Sequence, residues 1–165
     1  MKTKGADKHA ISLYVSNKPG VLIRIALIFS RRGFNIDSLV VSEAHDPAFS
    51  HMNIVASGDP ETLVQIIKQL NKLVDVVHAV DLTGVNTIVR ELSLYKVRCA
   101  VEQRTEIMQI GHAFNCQILG LTEASIIFQA AGTTEELDGL HSMLGKHGII
   151  EMVRTGKVLM SRNEE

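Results

Sequence analysis

The chain has no tryptophan, and aromatic residues make up only 4% of it. That leaves little for the stacking platforms on which single-stranded nucleic acid is held. It also lacks any excess of positive charge: Lys+Arg 17 stand against Asp+Glu 18, a formal net charge of −1. Phosphate neutralisation supplies most of the affinity of nucleic-acid binders, so near-neutrality argues against a polyanion as the main partner. No apolar run is long enough to span a bilayer. The opening Met1-Lys2-Thr3-Lys4-Gly5-Ala6-Asp7-Lys8 is not followed by the apolar segment a signal peptide needs. The expectation is a cytoplasmic protein with no membrane and no nucleic-acid partner. Two cysteines are present, Cys99 and Cys116, and there is no Asn-x-Ser/Thr acceptor. Reduced, buried thiols are expected rather than a disulfide.

Catalytic signatures are missing as well. There is no Walker loop, no G-x-G-x-x-G, no G-x-S-x-G and no H-E-x-x-H. Seven histidines (His9, His45, His51, His78, His112, His141 and His147) include no i, i+4 pair on a helix and no neighbouring cysteine pair. His45 and His51 flank one loop and read as exposed loop residues before they read as metal ligands. Cys116 has no charged sequence neighbour to lower its pKa and reads as a buried thiol, not a nucleophile. Glu135 and Glu136, adjacent on a helix, point in different directions and read as a solvated face. Taken alone, the chain does not look like an enzyme, and no catalytic residue and no metal site is assigned. Two fragments hint at RNA. Arg32-Gly33-Phe34 begins like an RRM signature but closes a helix, and Gly145-Lys146-His147-Gly148 fits the KH clamp but sits at a helix end.

What is present is a buriable core: 165 residues, 45% hydrophobic and 21% charged, enough for one domain or two small ones. Period-2 alternation of Ile11, Leu13 and Val15 marks a strand over 9–16. Asn17-Lys18-Pro19-Gly20 breaks it, with Asn17 suited to a cap and Pro19 to a first helical turn. A helix over 21–32 carries Leu22, Ile25, Ile28 and Phe29 on one stripe, with Arg31 and Arg32 in its last turn and Gly33 as its stop. Ile23, Ala26 and Leu27 lie off that stripe. The helix is therefore apolar nearly all round, and its second face is expected to meet another protein surface. Strands over 36–42 and 52–57, a helix over 61–73 capped by Asp59, and a strand over 74–82 complete a β-α-β-β-α-β order. After the polar joint 83–87 the order repeats: strand 88–101, helix 102–114, strands 116–121 and 125–131, helix 134–146 and strand 149–153. The fold class is α+β, two tandem ferredoxin-like βαββαβ modules. The organisation expected is a head 1–8, a first module 9–82, a linker 83–87, a second module 88–160 and a tail 161–165.

One segment looks like a site. Gly20, Val21 and Leu22 would offer backbone N–H groups at the positive end of a helix, where a carboxylate is favoured and glycine permits close approach. Asn17 and Asn35 each carry a carbonyl oxygen able to accept from an ammonium. Carboxylate donors beside ammonium acceptors, with apolar Leu22 and Ile36 close by, describe a pocket for a free aliphatic amino acid. The plainer reading makes Asn17 a cap and Asn35 a turn residue, and spacing alone does not choose between them.

The stretch from Ile11 to Leu82 resembles an ACT domain. Asn17-Lys18-Pro19-Gly20-Val21-Leu22 and Phe29-Ser30-Arg31-Arg32-Gly33-Phe34-Asn35-Ile36-Asp37-Ser38-Leu39 resemble the small regulatory subunit family of acetolactate synthase (acetohydroxyacid synthase). The likeness continues through Gln69-Leu70-Asn71-Lys72-Leu73-Val74-Asp75-Val76, and more weakly through Arg90-Glu91-Leu92 and Arg104-Thr105-Glu106-Ile107. The resemblance implies a non-catalytic chain that forms a homodimer through its ACT domains and binds valine, or another branched-chain amino acid, between them. It implies a catalytic large subunit as partner, holding thiamine diphosphate, Mg and FAD, with no cofactor in this chain. On that likeness Asn17, Gly20, Val21 and Leu22 belong to the effector loop of one protomer, and Asn35 and Ile36 face a ligand bound by its neighbour. The second module would contact the large subunit. Ser50-His51 departs from the family's usual Ser-Arg, which bears on ion pairing and pH response there. The alternative is a free-standing ACT-type amino-acid sensor acting on a different enzyme.

Overall fold

The computed structural model describes residues 7–162. Two compact units divide the chain: residues up to Ile88 together with those from Lys157, and Val89–Gly156. Each carries its own antiparallel sheet, two helices and apolar core, the α+β arrangement expected from the repeated order.

In the first unit, β1 (Asp7–Ser16) places Ile11, Leu13 and Val15 inward, as alternation demands. β1 is central, and the sheet runs β2 (Asn35–Glu43), β3 (Phe49–Gly58), β1, β4 (Val76–Asp81). Two helices close the core, α1 (Val21–Arg31) and α2 (Pro60–Leu70). Ile25 and Phe29 from α1 meet Ile66 and Leu70 from α2 over Ile11, Leu13 and Ile54. α2 begins as expected: Asp59 accepts from Thr62 N–H at 2.9 Å, and Pro60 takes the first turn. It ends earlier than expected, at Leu70 and not at residue 73. Asn71 explains the stop, because its side chain bridges Ile67 O, Ala79 O and Ala79 N and so ties the helix end to β4.

α1 buries the expected stripe from Ile25 onward, with Val21 in place of Leu22 at its first position. Val21, Ile25 and Phe29 are buried, spaced i, i+4, i+8, and Ile28 packs beside them. Leu22 is displaced outward and joins Ile23 and Leu27 on the exposed side. Gly20, at φ 83°, serves as the N-cap residue, and Val21 is the first helical residue. Asn17 is therefore not the cap, and Pro19 lies in the turn before the helix.

The second unit has β5 (Thr87–Arg98) at its centre, flanked by β7 (Ser125–Gly132) and β8 (Ile149–Arg154), with β6 (Gln117–Leu121) outside β7. α3 (Arg104–Ala113) and α4 (Thr134–Gly145) cover Tyr95, Val97, Ile126 and Phe128. α3 starts two residues late, behind a 3-10 turn over Val101–Gln103, because no side chain caps it. α4 has a full capping box: Thr133 Oγ1 accepts from Glu136 N–H, and Glu136 accepts from Thr133 N–H at 2.7 Å. Glu136 is thus a capping residue and not merely a solvated one. A last strand, β9 (Val158–Ser161), has no counterpart in the sequence reading. It pairs with β5, whose first residues, Thr87 and Ile88, count with the first unit.

Candidate functional site

At the end of β1 the chain is clamped before it turns into α1. Ser16 N–H donates to Asp75 O (2.8 Å) and Asn17 N–H to Ala48 O (2.8 Å). The Asn17 side-chain amide donates to Pro47 O at 3.0 Å. That leaves the Asn17 carbonyl oxygen with no partner among the described residues. Of the helix-start donors expected to be free, Val21 N–H is aimed at Lys18 O (3.4 Å). Among the described residues the amides of Gly20, Leu22 and Ile23 have no acceptor, and no side chain caps the helix. Val21 contributes no side chain to this surface, being buried in the core, whereas Leu22 stands beside the loop, 43% exposed.

Sequence reading overlooked Arg24. A cation in the first turn of a helix opposes the dipole, yet Arg24 lies there, with Nη1 at 3.5 Å from the position of a Cβ on Gly20. Asp75 holds it with an ion pair of 2.5 Å. The signal was available as an arginine at the wrong end of a helix. The turn thus carries three amides without an acceptor, a guanidinium beside Gly20 and, three residues earlier in the chain, an amide oxygen, groups of the kinds that hold a carboxylate and an ammonium.

Asn35 lies elsewhere. It opens β2 and pairs with Ser57 near the end of β3, whereas Asn17 is bonded beside the start of that same strand. β3 spans Phe49–Gly58. At about 3.3 Å per residue the two asparagines are roughly 30 Å apart within one chain. Asn35 Nδ2 donates to Asp37 Oδ1 at 2.6 Å, and Ser57 Oγ donates to Asp37 Oδ2. The hydrogen bond from Ser57 holds the Asp37 carboxyl below the usual carboxylate range against the opposing effect of burial, with Asn35 and Lys8 adding to the lowering. The Asn35 carbonyl oxygen, like that of Asn17, has no partner among the described residues. Ile36 points inward and packs on the first core.

The remaining candidates have structural settings. His51 and His78 stand on either side of the Tyr14 ring, at 4.9 and 5.6 Å between centroids, while His9 contacts Gly58 O at 3.1 Å. Among the described residues no group of three or more His, Cys, Asp or Glu is placed to hold a metal ion. Cys99 and Cys116 are both free, and burial pushes the Cys116 thiol up to about 11. At pH 8 its reaction with a disulfide reagent should be at least about tenfold slower than that of free cysteine, even after allowing for the greater nucleophilicity of a basic thiolate. A colorimetric thiol titration of the folded protein checks this. Modification at the rate of free cysteine would contradict the burial of that thiol.

Comparison with known proteins gives consistent matches over both units. Residues 11–78 match the family model described as AHAS small subunit-like ACT domain, and residues 90–163 match that of the small subunit of acetolactate synthase. The chain is 42% identical over 157 residues to a probable acetolactate synthase small subunit of Methanothermobacter thermautotrophicus, covering 94% of each chain. It is 39% identical over 160 residues to the acetolactate synthase small subunit of Mycolicibacterium smegmatis, covering 97% of this chain and 94% of that one. Among solved structures, the small subunit of acetolactate synthase from Thermotoga maritima superposes with a TM-score of 0.87 at 36% identity, over 96% of this chain and 99% of that chain.

Proposed function

The chain belongs to the small-subunit family of acetolactate synthase, and from that premise we propose that it activates a catalytic large subunit and makes it sensitive to feedback inhibition by valine or another branched-chain amino acid. Thiamine diphosphate, Mg and FAD would reside in that large subunit. The single observation that carries the effector reading is the start of α1, where unpaired amides lie beside Arg24 and follow closely on the unpartnered Asn17 oxygen in the chain. The effector's carboxylate docks on the amides and guanidinium, its ammonium on asparagine oxygens, and its aliphatic group beside exposed Leu22.

The separation of Asn17 from Asn35 bears on assembly. One chain cannot bring both to a single small ligand, so a pocket using both requires a second copy. A homodimer through the ACT units supplies Asn35 from the neighbouring protomer, and its two-fold symmetry creates two equivalent pockets. Leu22, Ile23 and Leu27, exposed on α1, offer apolar surface for that pairing. Effector binding then shifts how the large subunit is held, with a coupling of about 1–3 kcal/mol, enough for several-fold to hundredfold modulation.

Calorimetric titration of the purified chain with valine, leucine and isoleucine tests the reading. Saturable binding at one molecule per chain is expected. The three ligands should differ by at most about 1–3 kcal/mol, since about one methylene separates them. Absence of heat with all three, in a chain that still raises the turnover of its large subunit, would remove the effector role and leave the activating one.

A further inference from the structure

Asp37 has no part in the reading above, yet it governs one of the groups that does. β2 is bulged between Ile36 and Ser38, so Asp37 has no partner on β3 in the ladder. Bulges re-aim side chains, and here the Asp37 carboxyl engages Asn35, two residues back on its own strand, and Ser57 across the sheet. One oxygen accepts from the Asn35 amide nitrogen at 2.6 Å, the other from the Ser57 hydroxyl. With its carboxyl held below the ordinary range, Asp37 is ionised at neutral pH. An ionised carboxylate only accepts hydrogen bonds, so it can hold the NH2 end of the Asn35 amide but not the oxygen end. A primary amide is nearly symmetric in shape, and nothing else bonded to the Asn35 side chain among the described residues distinguishes its ends. The orientation of the amide, with its nitrogen toward the carboxylate and its oxygen left unbonded, is therefore dictated by Asp37.

We infer that Asp37 is a positioning residue that sets the polarity of the effector pocket, presenting the Asn35 carbonyl oxygen to the ligand so that the site selects a 2-ammonium acid over the 2-oxo acid of the same carbon skeleton. The inference rests on the proposed role of Asn35 as an effector contact. An ammonium donates to that oxygen, whereas a 2-oxo group brings a second lone pair against it and gains nothing. Shape and carboxylate are common to both ligands, so discrimination has to come from the groups that meet the 2-position. Asn17, whose amide nitrogen is likewise bound to a pure acceptor, Pro47 O, presents its oxygen in the same sense.

The test is competitive binding of valine and 3-methyl-2-oxobutanoate to the full-length protein, in the wild type and in Asp37→Asn and Asp37→Ala. In Asp37→Asn the residue that faces Asn35 can donate or accept, and the Asn35 amide is released to turn. Valine affinity should fall about tenfold, the worth of a hydrogen bond to a charged group. The preference for valine over the oxo acid should narrow by a similar factor, because the released amide can now donate to the oxo group. Asp37 is exposed, so both variants should melt close to the wild type. A wild-type chain that binds valine, with variants that keep the wild-type ratio of the two affinities, would overturn the inference while leaving the effector reading standing. A lower valine affinity at an unchanged ratio would do the same, since it shows only a loosened strand. A wild-type chain that binds neither ligand would overturn the effector reading itself.

Discussion

A Gly20→Asp chain is expected to fold, to join its large subunit, and to lose its response to valine almost completely. Gly20 lies at φ 83°, and the one heavy atom within 4 Å of a Cβ built there is the Arg24 Nη1, at 3.5 Å. There is room for a side chain, at the cost of left-handed backbone strain of about 1–2 kcal/mol, to which aspartate is more tolerant than most residues. The new carboxylate would occupy the N-cap position, where aspartate accepts from the N–H groups of the second and third helical residues. Those are Leu22 and Ile23, whose amides have no acceptor among the described residues and are the donors proposed for the effector. It would also engage Arg24. The protein would thus supply its own anion to the notch, and a second carboxylate arriving about 4 Å away would meet a repulsion of up to about 4 kcal/mol at an effective dielectric of 20. Affinity should drop by at least about a hundredfold, equivalent to roughly 2.7 kcal/mol. Gly20→Asn separates the two causes: it caps the same amides without the charge and should retain more of the response. Valine inhibition of the reconstituted holoenzyme is the readout. A Gly20→Asp holoenzyme that remained fully valine-sensitive would mean that the start of α1 is not where the carboxylate binds.

Much of the frame was legible because local rules and burial agree. Alternation in β1 puts Ile11, Leu13 and Val15 in the core, and Asp59 caps α2. Where expectations slipped, a non-local partner had the deciding voice. Helical periodicity in a segment apolar nearly all round cannot say which stripe is buried. Ile25, Ile28 and Phe29 face the core as expected, and only the sheet beneath shows that Val21, not Leu22, completes the stripe. Asn71 ends α2 early by reaching across to Ala79, which no window of neighbouring residues displays. β9 escaped notice because four residues carry too little period to stand out. At the site, the spacing of Asn17, Gly20 and Asn35 suggested one pocket. The antiparallel register sends Asn35 to the far end of β3, a separation that the spacing along the chain does not display. Arg24 was missed for a different reason. Its oddity is electrostatic, a cation facing the positive end of a helix, and it makes sense only once Asp75 is seen beside it.

The second large effect is expected in the second unit, from Arg154→Leu. Glu91 points into the helix-covered side of β5, and its side chain is only 4% exposed. It is held there by the Arg154 Nε and by the Thr134 hydroxyl at 2.5 Å. Arg154 in turn reaches Asp138 at 2.6 Å and Thr134 O at 3.3 Å, so one guanidinium ties β8 to β5 and to the first turns of α4. Removing it leaves a carboxylate inside the unit with one hydroxyl for company, and an uncompensated buried charge of this kind costs roughly 3–5 kcal/mol. For a unit of this size the corresponding transition should fall by roughly 10 °C or more in a thermal scan. The first unit has a separate core, so effector binding by calorimetry at low temperature should be far less affected than stability. The double variant Arg154→Leu with Glu91→Gln removes the unpaired charge and should recover a substantial part of the loss, whereas two independent contributions would simply add. A single variant melting within a degree or two of the wild type would show that Glu91 finds water or another cation when Arg154 is gone. In that case the helix-to-sheet tie in this unit would rest on its apolar core, with Tyr95, Phe128 and Leu140 carrying what the ion pair was thought to hold.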